Sequence, residues 1–464
     1  MSMTDSTIQP PVPDSKVAIK ASEERKRLII QTLARRHRKE KTFRILGLSS
    51  VILGLMFVAL LFGSILQKGI PAFWQASITA PVYLDPKVIH TAGAKPVRLV
   101  HESPAQYQQR YIDWQLRMGA LDWDGLILRG IESQDPSLKH HENDLLNIYS
   151  SSEAYRLRDM VFADPSLVGK TIEMNLIAGA NVDVWINGKI DRDLPADQQQ
   201  LSGSVRALAD EMVKKGLLKR TFNFRIFTNT DSRSSPSSSG LAGAFMGSLF
   251  MMLIVIFVSI PIGVASAIYL EEFAKKSLIT DIVEVNINNL AAVPSIIFGL
   301  LGAAIFIGWM HLPLSAPLVG GLVLSLMTLP TIIITTRASL KAVPPSIRRA
   351  AQGLGASRIQ TVFHHVLPLA LPGILTGAII GVAQALGETA PLLLIGMSAF
   401  VASVPSTPLD QSTALPVQIF LWQGNELRNF FEGRTAAAII VLLALMIGLN
   451  SLAIWLRKKF EVRW

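Results

Sequence analysis

Apolar residues are arranged along the chain in long runs, separated by stretches that are richer in charge. A helix that crosses the hydrocarbon core of a bilayer needs about 20 consecutive, mostly apolar residues. Six stretches reach that length and are almost free of charge, which predicts six transmembrane helices. They are Ile45–Leu66, Leu241–Leu270, a run within Asn289–Met310, about Leu318–Thr336, about Val366–Leu386 and Thr435–Leu456.

The fifth of these runs has no clear boundaries, because Pro368, Pro372 and Pro391 interrupt it. Proline removes a backbone donor and disturbs a helix interior. We therefore expect a helix over roughly 369–397 that contains a break or a bend. The first run is not a cleaved signal peptide, since it starts far into the chain, is too long, and has no small-residue cleavage pattern after it.

Basic residues cluster on three segments that six spans would place on the same side of the membrane. Loops rich in Lys and Arg remain in the cytoplasm. This predicts a multi-pass protein of the bacterial cytoplasmic (inner) membrane, with both termini and the loop 337–365 inside. The segments carry Arg25, Lys26, Arg27, Arg35, Arg36, Arg38, Lys39, Lys41 and Arg44; Arg337, Lys341, Arg348, Arg349 and Arg358; and Arg457, Lys458, Lys459 and Arg463.

Composition supports a membrane protein over a soluble enzyme. Charged residues make up 17% of the 464 residues, against about 25% in soluble domains. The net charge of +10 lies in the flanks of apolar runs, so it does not indicate a nucleic-acid partner. The sequence has no cysteine, which excludes disulfides, thiolate metal sites and cysteine nucleophiles.

The spans divide the chain into a cytoplasmic basic tail (1–44), span 1 (45–67), an insert (68–240) and a five-span core (241–464). Residues 1–22 are polar and proline-rich, which predicts a lack of structure, and 23–41 are expected to form a basic surface helix. The insert is long enough for one domain, and topology places it outside the cytoplasm. Asp231–Gly240, rich in Ser, predicts a flexible link into span 2.

The insert has the pattern of a small α+β domain. Alternating apolar residues predict strands at Thr171–Ile177, at Val182–Ile186 and across Phe222, Phe224 and Ile226. Asn187-Gly188 is a strong turn signal. The stretch from Pro195 to Lys215 has apolar residues at helical spacing and is closed by Gly216, which predicts a helix.

Motifs that would support catalysis by this chain are absent. Gly169-Lys170-Thr171 resembles the end of a phosphate-binding P-loop, but the glycine needed five positions earlier is Asp164, whose carboxylate repels phosphate. His140, His141 and Glu142 with Asp144 are more consistent with a solvated turn than with a metal site, since adjacent side chains point apart. We therefore expect no enzyme activity, no bound metal and no cofactor in this chain.

The loop from Arg337 to His365 contains signals for two short helices. Pro344-Pro345-Ser346 favours a helix through Gln352, the glycines at 353 and 355 end it, and Ser357 favours a second helix toward Pro368. Such a pair of helices is either an ordinary basic loop or a rigid element that docks in a cleft of another protein. Spacing alone does not decide between them.

Here the sequence resembles a known family. Arg349-Ala350-Ala351, followed by Gly355 and by Leu367-Pro368, is similar to the loop by which ABC-importer permeases dock on their ATPase. The stretches 371–377 (LPGILTG) and 385–392 (ALGETAPL), and 267–272 (AIYLEE), resemble phosphate-importer permeases of the PstA type. The resemblance covers span 1 and residues 225–464; the large insert is typical of a long-form subset.

The resemblance implies a type I permease fold of six transmembrane helices, with the small α+β domain inserted between helices 1 and 2. It also implies a function as one permease of an ATP-driven inorganic phosphate importer. The implied partners are a second permease, an ATPase dimer that binds ATP and Mg, an external phosphate-binding protein and membrane lipid. The implied docking residues are Arg349, Ala350, Ala351, Gly355, Leu367 and Pro368, and the candidate pathway residues are Gln384, Glu388, Thr389 and Arg337.

Three residues depart from the family pattern. Arg349 stands where the docking motif has glutamate, His365 where an apolar residue is usual, and Gln384 where many members carry arginine. The first reverses a charge at the docking loop. The third removes a charge that would attract phosphate.

Glu388 is the single carboxylate between Arg358 and Asp410, and an ionisable residue in a span is a functional candidate. Either its carboxylate accepts a hydrogen bond from the hydroxyl group of protonated phosphate, which sulfate lacks, or it pairs with a base of the partner permease or caps a broken helix. Two other functions are open: a permease for molybdate or sulfate, and a membrane-anchored sensor. The docking loop and the absence of an output domain after the last span favour a permease.

Overall fold

The computed structural model of the chain describes residues 15–398, 401 and 403–460. Within these ranges five helices are long and apolar enough to cross a membrane. A pair of shorter helices that meets the same test together is bent by 102°, and the sequence-based count of six is reached if that pair makes one crossing. The five are Arg36–Phe73, Ala242–Phe273, Pro317–Ala342, Arg358–Gly387 and Arg428–Lys459, and the bent pair is Leu278–Ala291 with Ser295–Trp309.

The first helix runs from Ser15 to Gly69, so it begins inside the stretch predicted to lack structure. Residues 1–14 lie outside the described part of the chain. Tail and span 1 therefore form one continuous helix, because good helix formers such as Glu, Arg, Lys and Leu fill the tail. The chain up to Ser64 and the chain from Ile65 form two compact units.

The apolar run Asn289–Met310, which predicts one transmembrane helix, is interrupted. One helix ends at Ala291, and the next begins at Ser295 after Pro294 in an extended conformation. Proline has no N–H to donate and disfavours helical geometry in the residue before it, which favours the end of a helix at this point. The second helix continues as a π-helical turn over Ala303–Trp309.

The insert contains a three-stranded antiparallel sheet covered by short helices. Strand β1 (Trp74–Tyr83) lies between β2 (Thr171–Ile177) and β3 (Leu218–Phe222), and Ile78 of β1 faces Leu176 and Leu218. Its helices are Pro86–Ile89, Pro104–Gly119, Trp123–Glu132, Glu142–Ile148, Ser152–Ala163, Ala180–Ile186, Gly203–Lys214 and Arg225–Thr228.

Two of the strand predictions for the insert need correction. Residues 180–186 form a helix, in which Val182, Asp183, Val184 and Trp185 are all buried, so the apparent alternation reflected burial on every side. The last strand ends at Phe222, and a helix at Arg225–Thr228 follows. The helix predicted from Pro195 begins later, at Gly203, where Ser202 caps it through the Val205 N–H.

Strand β1 was missed in the sequence although its signal is present. Ala76, Ile78, Ala80 and Val82 are all 0% exposed and alternate with the other face of the strand. Pro81 lies inside the strand, where it removes a ladder donor. That proline, together with small rather than bulky apolar residues, hides the period of two.

One hydrophobic core joins the insert to the transmembrane part of the unit that begins at Ile65. Ile78, Leu126 and Met174 of the insert belong to the same buried cluster as Trp422 and Phe431. The insert is therefore packed on the five-span core. The remaining helices of the core are Ala242–Ile268, Pro317–Ala342, Pro345–Gly353, Arg358–Thr361, Leu367–Gly387, Ala390–Leu394, Leu415–Gln423 and Arg428–Phe460.

The segment Asp231–Gly240 is an ordered connection, not the flexible link that its composition predicts. Ser235, Ser237 and Ser239 are buried, and the Ser237 hydroxyl donates to Ser150 Oγ over 2.9 Å. The serine hydroxyls and carbonyls find partners in the insert and in the last span, so a composition typical of linkers here forms a packed interface.

Candidate functional site

The fifth span is interrupted where the sequence carries its carboxylate. The helix Leu367–Gly387 ends, Glu388 is extended with φ −78° and ψ 131°, and a short helix restarts at Ala390. Glu388 is half-buried, and its carboxylate has no hydrogen bond or ion pair among the described residues. The sequence predicts a break or a bend in this span, at one of three prolines. The helix continues through Pro368 and Pro372, and the break lies just before Pro391.

The interruption in span 5 packs directly against the bent pair of span 3. A Cβ atom added at Gly299 would lie 2.6 Å from Pro391 Cα and 2.7 Å from its carbonyl oxygen. Only glycine permits backbones to approach so closely. The two discontinuous segments of the transmembrane core are therefore neighbours, an arrangement that transporters use to line a pathway with backbone groups.

The four candidate pathway residues occupy two places. Gln384, Glu388 and Thr389 lie together at the interruption, where Gln384 is exposed and the other two are half-buried. Arg337 lies near the C-terminal end of span 4. Its guanidinium contacts Glu284 at 3.0 Å and Glu271 at 3.3 Å. Its charge is thus compensated by two carboxylates of neighbouring helices.

The loop 337–365 contains the two short helices that its sequence signals predict. Pro345–Gly353 is the first, and Arg358–Thr361 is the second, opened by a capping box between Ser357 and Gln360. Gly355 between them has φ +90°, a conformation that side chains other than glycine rarely adopt. The turn presents Leu354, which is 91% exposed. We call residues 345–361 the coupling element.

Within the coupling element, adjacent arginines have different environments. Arg349 is exposed, as is Ala350, while Ala351 is buried. Arg348 is held by Glu272 at the end of span 2, with Nη2 2.6 Å from Oε1. It also donates to the carbonyl oxygens of Leu340 (2.8 Å) and Val343 (2.7 Å) at the end of span 4. The sequence predicts Arg349 as a docking residue, whereas in the structure it is Arg348 that joins the coupling element to spans 2 and 4.

Leu367 and Pro368, the last docking residues that the sequence predicts, lie at the junction of the coupling element with span 5. Both are half-buried at the first turn of the helix Leu367–Gly387. A π-helical turn over Val362–Val366 precedes them, with Val362 and Val366 buried in a third core cluster. The coupling element is therefore rigidly continuous with span 5.

Arg434, at the start of the last span, was missed by sequence reasoning. It is 2% exposed and donates to the Ser239 carbonyl (2.6 Å), the Ser237 carbonyl (3.1 Å) and Gln75 Oε1 (2.8 Å). Gln75 belongs to β1 of the insert. A buried arginine satisfied by three acceptors thus joins the insert to the last span.

Asp183 of the insert lies close to this arginine. Its carboxylate accepts a hydrogen bond from the Ala76 N–H over 2.7 Å. Burial raises the pKa of the Asp183 carboxyl group, and the hydrogen bond and the nearby Arg434 oppose that rise. The arginine therefore lowers the free-energy cost of ionising the buried Asp183 carboxyl group at the junction.

The two motifs that resembled chemistry show no site in the described ranges. No group of three or more His, Cys, Asp or Glu residues there is placed to hold a metal ion. His141 lies 3.7 Å from Asp144 as a local pair of one turn. Gly169, with φ +85°, ends a short turn before β2, and its N–H donates to the Leu84 carbonyl, not toward an anion.

Comparison with known proteins gives two family matches. Residues 259–463 match the family described as binding-protein-dependent transport system inner membrane component. Residues 30–196, which include span 1 and most of the insert, match a domain of unknown function, DUF3333. The fold is thus that of an ABC-importer permease with an additional domain.

Individual relatives refine this assignment. The chain is 32% identical over 244 residues to the phosphate transport system permease protein PstA of Yersinia pestis, covering 50% of this chain and 78% of the relative. It is 33% identical over 241 residues to PstA 2 of Mycobacterium bovis, covering 50% and 76%. A probable ABC transporter permease, YqgI of Bacillus subtilis, is 31% identical over 170 residues, which are 36% of this chain and 56% of the relative.

Among solved structures, the MetNI methionine ABC transporter is similar at 18% identity and a TM-score of 0.35, covering 48% of this chain and 94% of that one. The family assignment rests on the sequence relatives. The chain belongs to the PstA-type permeases of ABC importers, and it is a multi-pass inner-membrane protein.

Proposed function

We propose that this chain forms the membrane pathway of an ATP-driven importer of inorganic phosphate, together with a second permease. The observation that carries the proposal is the interrupted span 5, whose sequence ALGETAPL (385–392) lies within the family match. It rests against the bent span 3, and a relative that is a permease of a phosphate transport system matches 50% of the chain. An external phosphate-binding protein would deliver the anion.

Glu388 is our candidate for selectivity. At neutral pH phosphate carries a hydroxyl group that donates a hydrogen bond, whereas sulfate does not. A carboxylate without a partner accepts that bond, and with sulfate it would stay unsatisfied at a cost of about 1–3 kcal/mol. The half-buried, unpartnered state of Glu388 among the described residues supports this role.

Glu388→Gln is expected to reduce the discrimination between phosphate and sulfate by about tenfold. Uptake of labelled phosphate, with sulfate as competitor, measures this in proteoliposomes that contain the whole complex. Glu426→Gln is the matched control, because Glu426 is an exposed carboxylate in the loop before the last span. Unchanged selectivity in Glu388→Gln would remove Glu388 from this role and leave the phosphate assignment intact.

The coupling element is our proposed docking site for the ATPase. The basic flanks favour a cytoplasmic position for it, and the exposed Leu354 offers an apolar contact for a cleft. Closure of an ATPase dimer would move the element and tilt spans 2, 4 and 5, to which it is joined. Arg349, in place of the family's glutamate, calls for an acidic partner surface.

Gly355→Ala tests the shape of this element. A side chain at φ +90° is strained, by about 1–2 kcal/mol, so the turn that presents Leu354 will change. We expect uptake per ATP hydrolysed to fall by on the order of tenfold. Gly353→Ala is the control. A Cβ atom added at Gly353 or at Gly355 would have no neighbouring atom within 4 Å, but only Gly355 has a positive φ. Equal coupling in both variants would contradict the docking proposal.

A further inference from the structure

Four large aromatic side chains of the insert form one exposed patch. Phe224 is 71% exposed, Phe227 45%, Trp74 40% and Phe222 38%. Their rings are in contact: centroids are 5.3 Å apart for Trp74 and Phe222, and 4.7 Å for Phe222 and Phe224. Phe73 stacks beneath Phe227 at 5.6 Å. We call the four exposed residues the aromatic patch; a contiguous apolar surface of this kind marks a contact site.

The aromatic patch lies at the ends of two membrane spans. A four-residue 3-10 turn, Ile70–Phe73, separates the end of span 1 from Trp74. On the other side of the patch, the Ile226 carbonyl accepts a hydrogen bond from the Leu241 N–H over 2.7 Å, one residue before the helix of span 2 begins. The patch is thus held within one turn of both spans.

These distances match the thickness of the interfacial layer. A 3-10 turn of four residues rises about 8 Å, and the headgroup region extends about 5–8 Å beyond the hydrocarbon on each side. Lys68, whose ammonium group pairs with Glu432 at 2.6 Å, marks the end of the apolar part of span 1. A turn that continues along the membrane normal would bring the rings to the depth of the headgroups.

The neighbouring charge complements a lipid surface. Arg220 is exposed on β3, two residues before Phe222 and therefore on the same face of the strand. Aromatic rings with adjacent basic side chains are the composition that proteins place at membrane interfaces. Exposing four such rings to water would be unfavourable, because apolar surface is more stable in an apolar environment.

We propose that the insert rests on the membrane through the aromatic patch, with Trp74, Phe222, Phe224 and Phe227 inserted among the headgroups of the leaflet on its own side. Lipid is the partner, with Arg220 facing its phosphate groups. The contact holds the insert at a fixed height over the spans. It does not depend on which anion the complex transports.

Because the chain has no cysteine, a single introduced cysteine reports on one position. Two variants, Phe224→Cys and Phe227→Cys, are made separately. Each is purified from its membrane as the complex, labelled with a fluorophore and reconstituted in lipid nanodiscs. Tyr83→Cys is the matched control: it is 49% exposed and lies at the opposite end of β1 from Trp74, about 30 Å away along the strand. Nitroxide lipids, labelled in the headgroup or near the top of the acyl chain, are the quenchers.

We expect both nitroxide lipids to quench the fluorophore at positions 224 and 227 several-fold more than at position 83. Equal, weak quenching at all three positions overturns the proposal. So does emission at 224 and 227 that is shifted to the blue yet unaffected by nitroxide lipids, because a protein partner then covers the patch. The two positions in different rings guard against a local effect of one substitution.

Discussion

Arg434→Gln is expected to lower the melting temperature of the purified protein by several degrees and to loosen the insert from the last span. The guanidinium is 2% exposed and satisfies the carbonyls of Ser237 and Ser239 together with the Gln75 side chain. Its removal leaves the Ser239 carbonyl without its donor, at a cost of about 1–3 kcal/mol before relaxation, while Asn223 and Gln75 still donate to the other two acceptors. The substitution also removes a positive charge that lies near the buried Asp183 carboxyl group.

Arg428→Gln is the control for this prediction. Arg428 is the first residue of the same helix but is exposed, so its loss should leave the melting temperature nearly unchanged. Arg434→Lys should not restore stability, because an ammonium group cannot reach three acceptors in the geometry of a guanidinium. Wild-type melting of Arg434→Gln would contradict the role of this arginine in joining the insert to the span.

Arg348→Gln is expected to uncouple ATP hydrolysis from uptake. Arg348 binds Glu272 through two nitrogens and donates to the carbonyls of Leu340 and Val343, so movement of the coupling element would pass through it to spans 2 and 4. Breaking a largely buried ion pair costs about 3–5 kcal/mol. Glu272 is 8% exposed as a residue, so solvent replaces the lost bonds only in part.

The measurement is uptake of phosphate per ATP hydrolysed, in proteoliposomes that contain the complete complex. We expect the ratio to fall by tenfold or more, on the order of 1.4 kcal/mol, while ATP hydrolysis continues. Lys276→Gln is the control, since it removes a positive charge from an exposed residue that follows span 2 and lies outside the coupling element. Equal ratios in the two variants would show that the ties of Arg348 are not part of coupling.

Membrane spans were the most predictable part of the fold, because the bilayer imposes a length and an apolar composition that are visible locally. The coupling element was also predictable, since proline, serine and glycine act on the backbone next to them. The bend at Pro294 had the same kind of signal, but the apolar run around it suggested a single helix.

The junction between insert and last span could not be predicted from local pattern. Gln75 and Arg434 are separated by 359 residues, and neither has a sequence signature for the other. Asp231–Gly240 has the composition of a linker. Its carbonyl groups bind Arg434 only because the fold brings that side chain next to them. Likewise, Glu388 was recognisable as a lone carboxylate, whereas its position beside the bent span 3 required the fold.

The most direct test of the proposed function is uptake of labelled phosphate into proteoliposomes that hold the purified complex, with ATP inside and the binding protein outside. We predict uptake that requires ATP and persists in an excess of sulfate. Uptake of sulfate or molybdate in place of phosphate would contradict the substrate and preserve the permease. Absence of ATP-dependent transport of any of these anions, in a complex shown to be intact, would contradict the function as a permease.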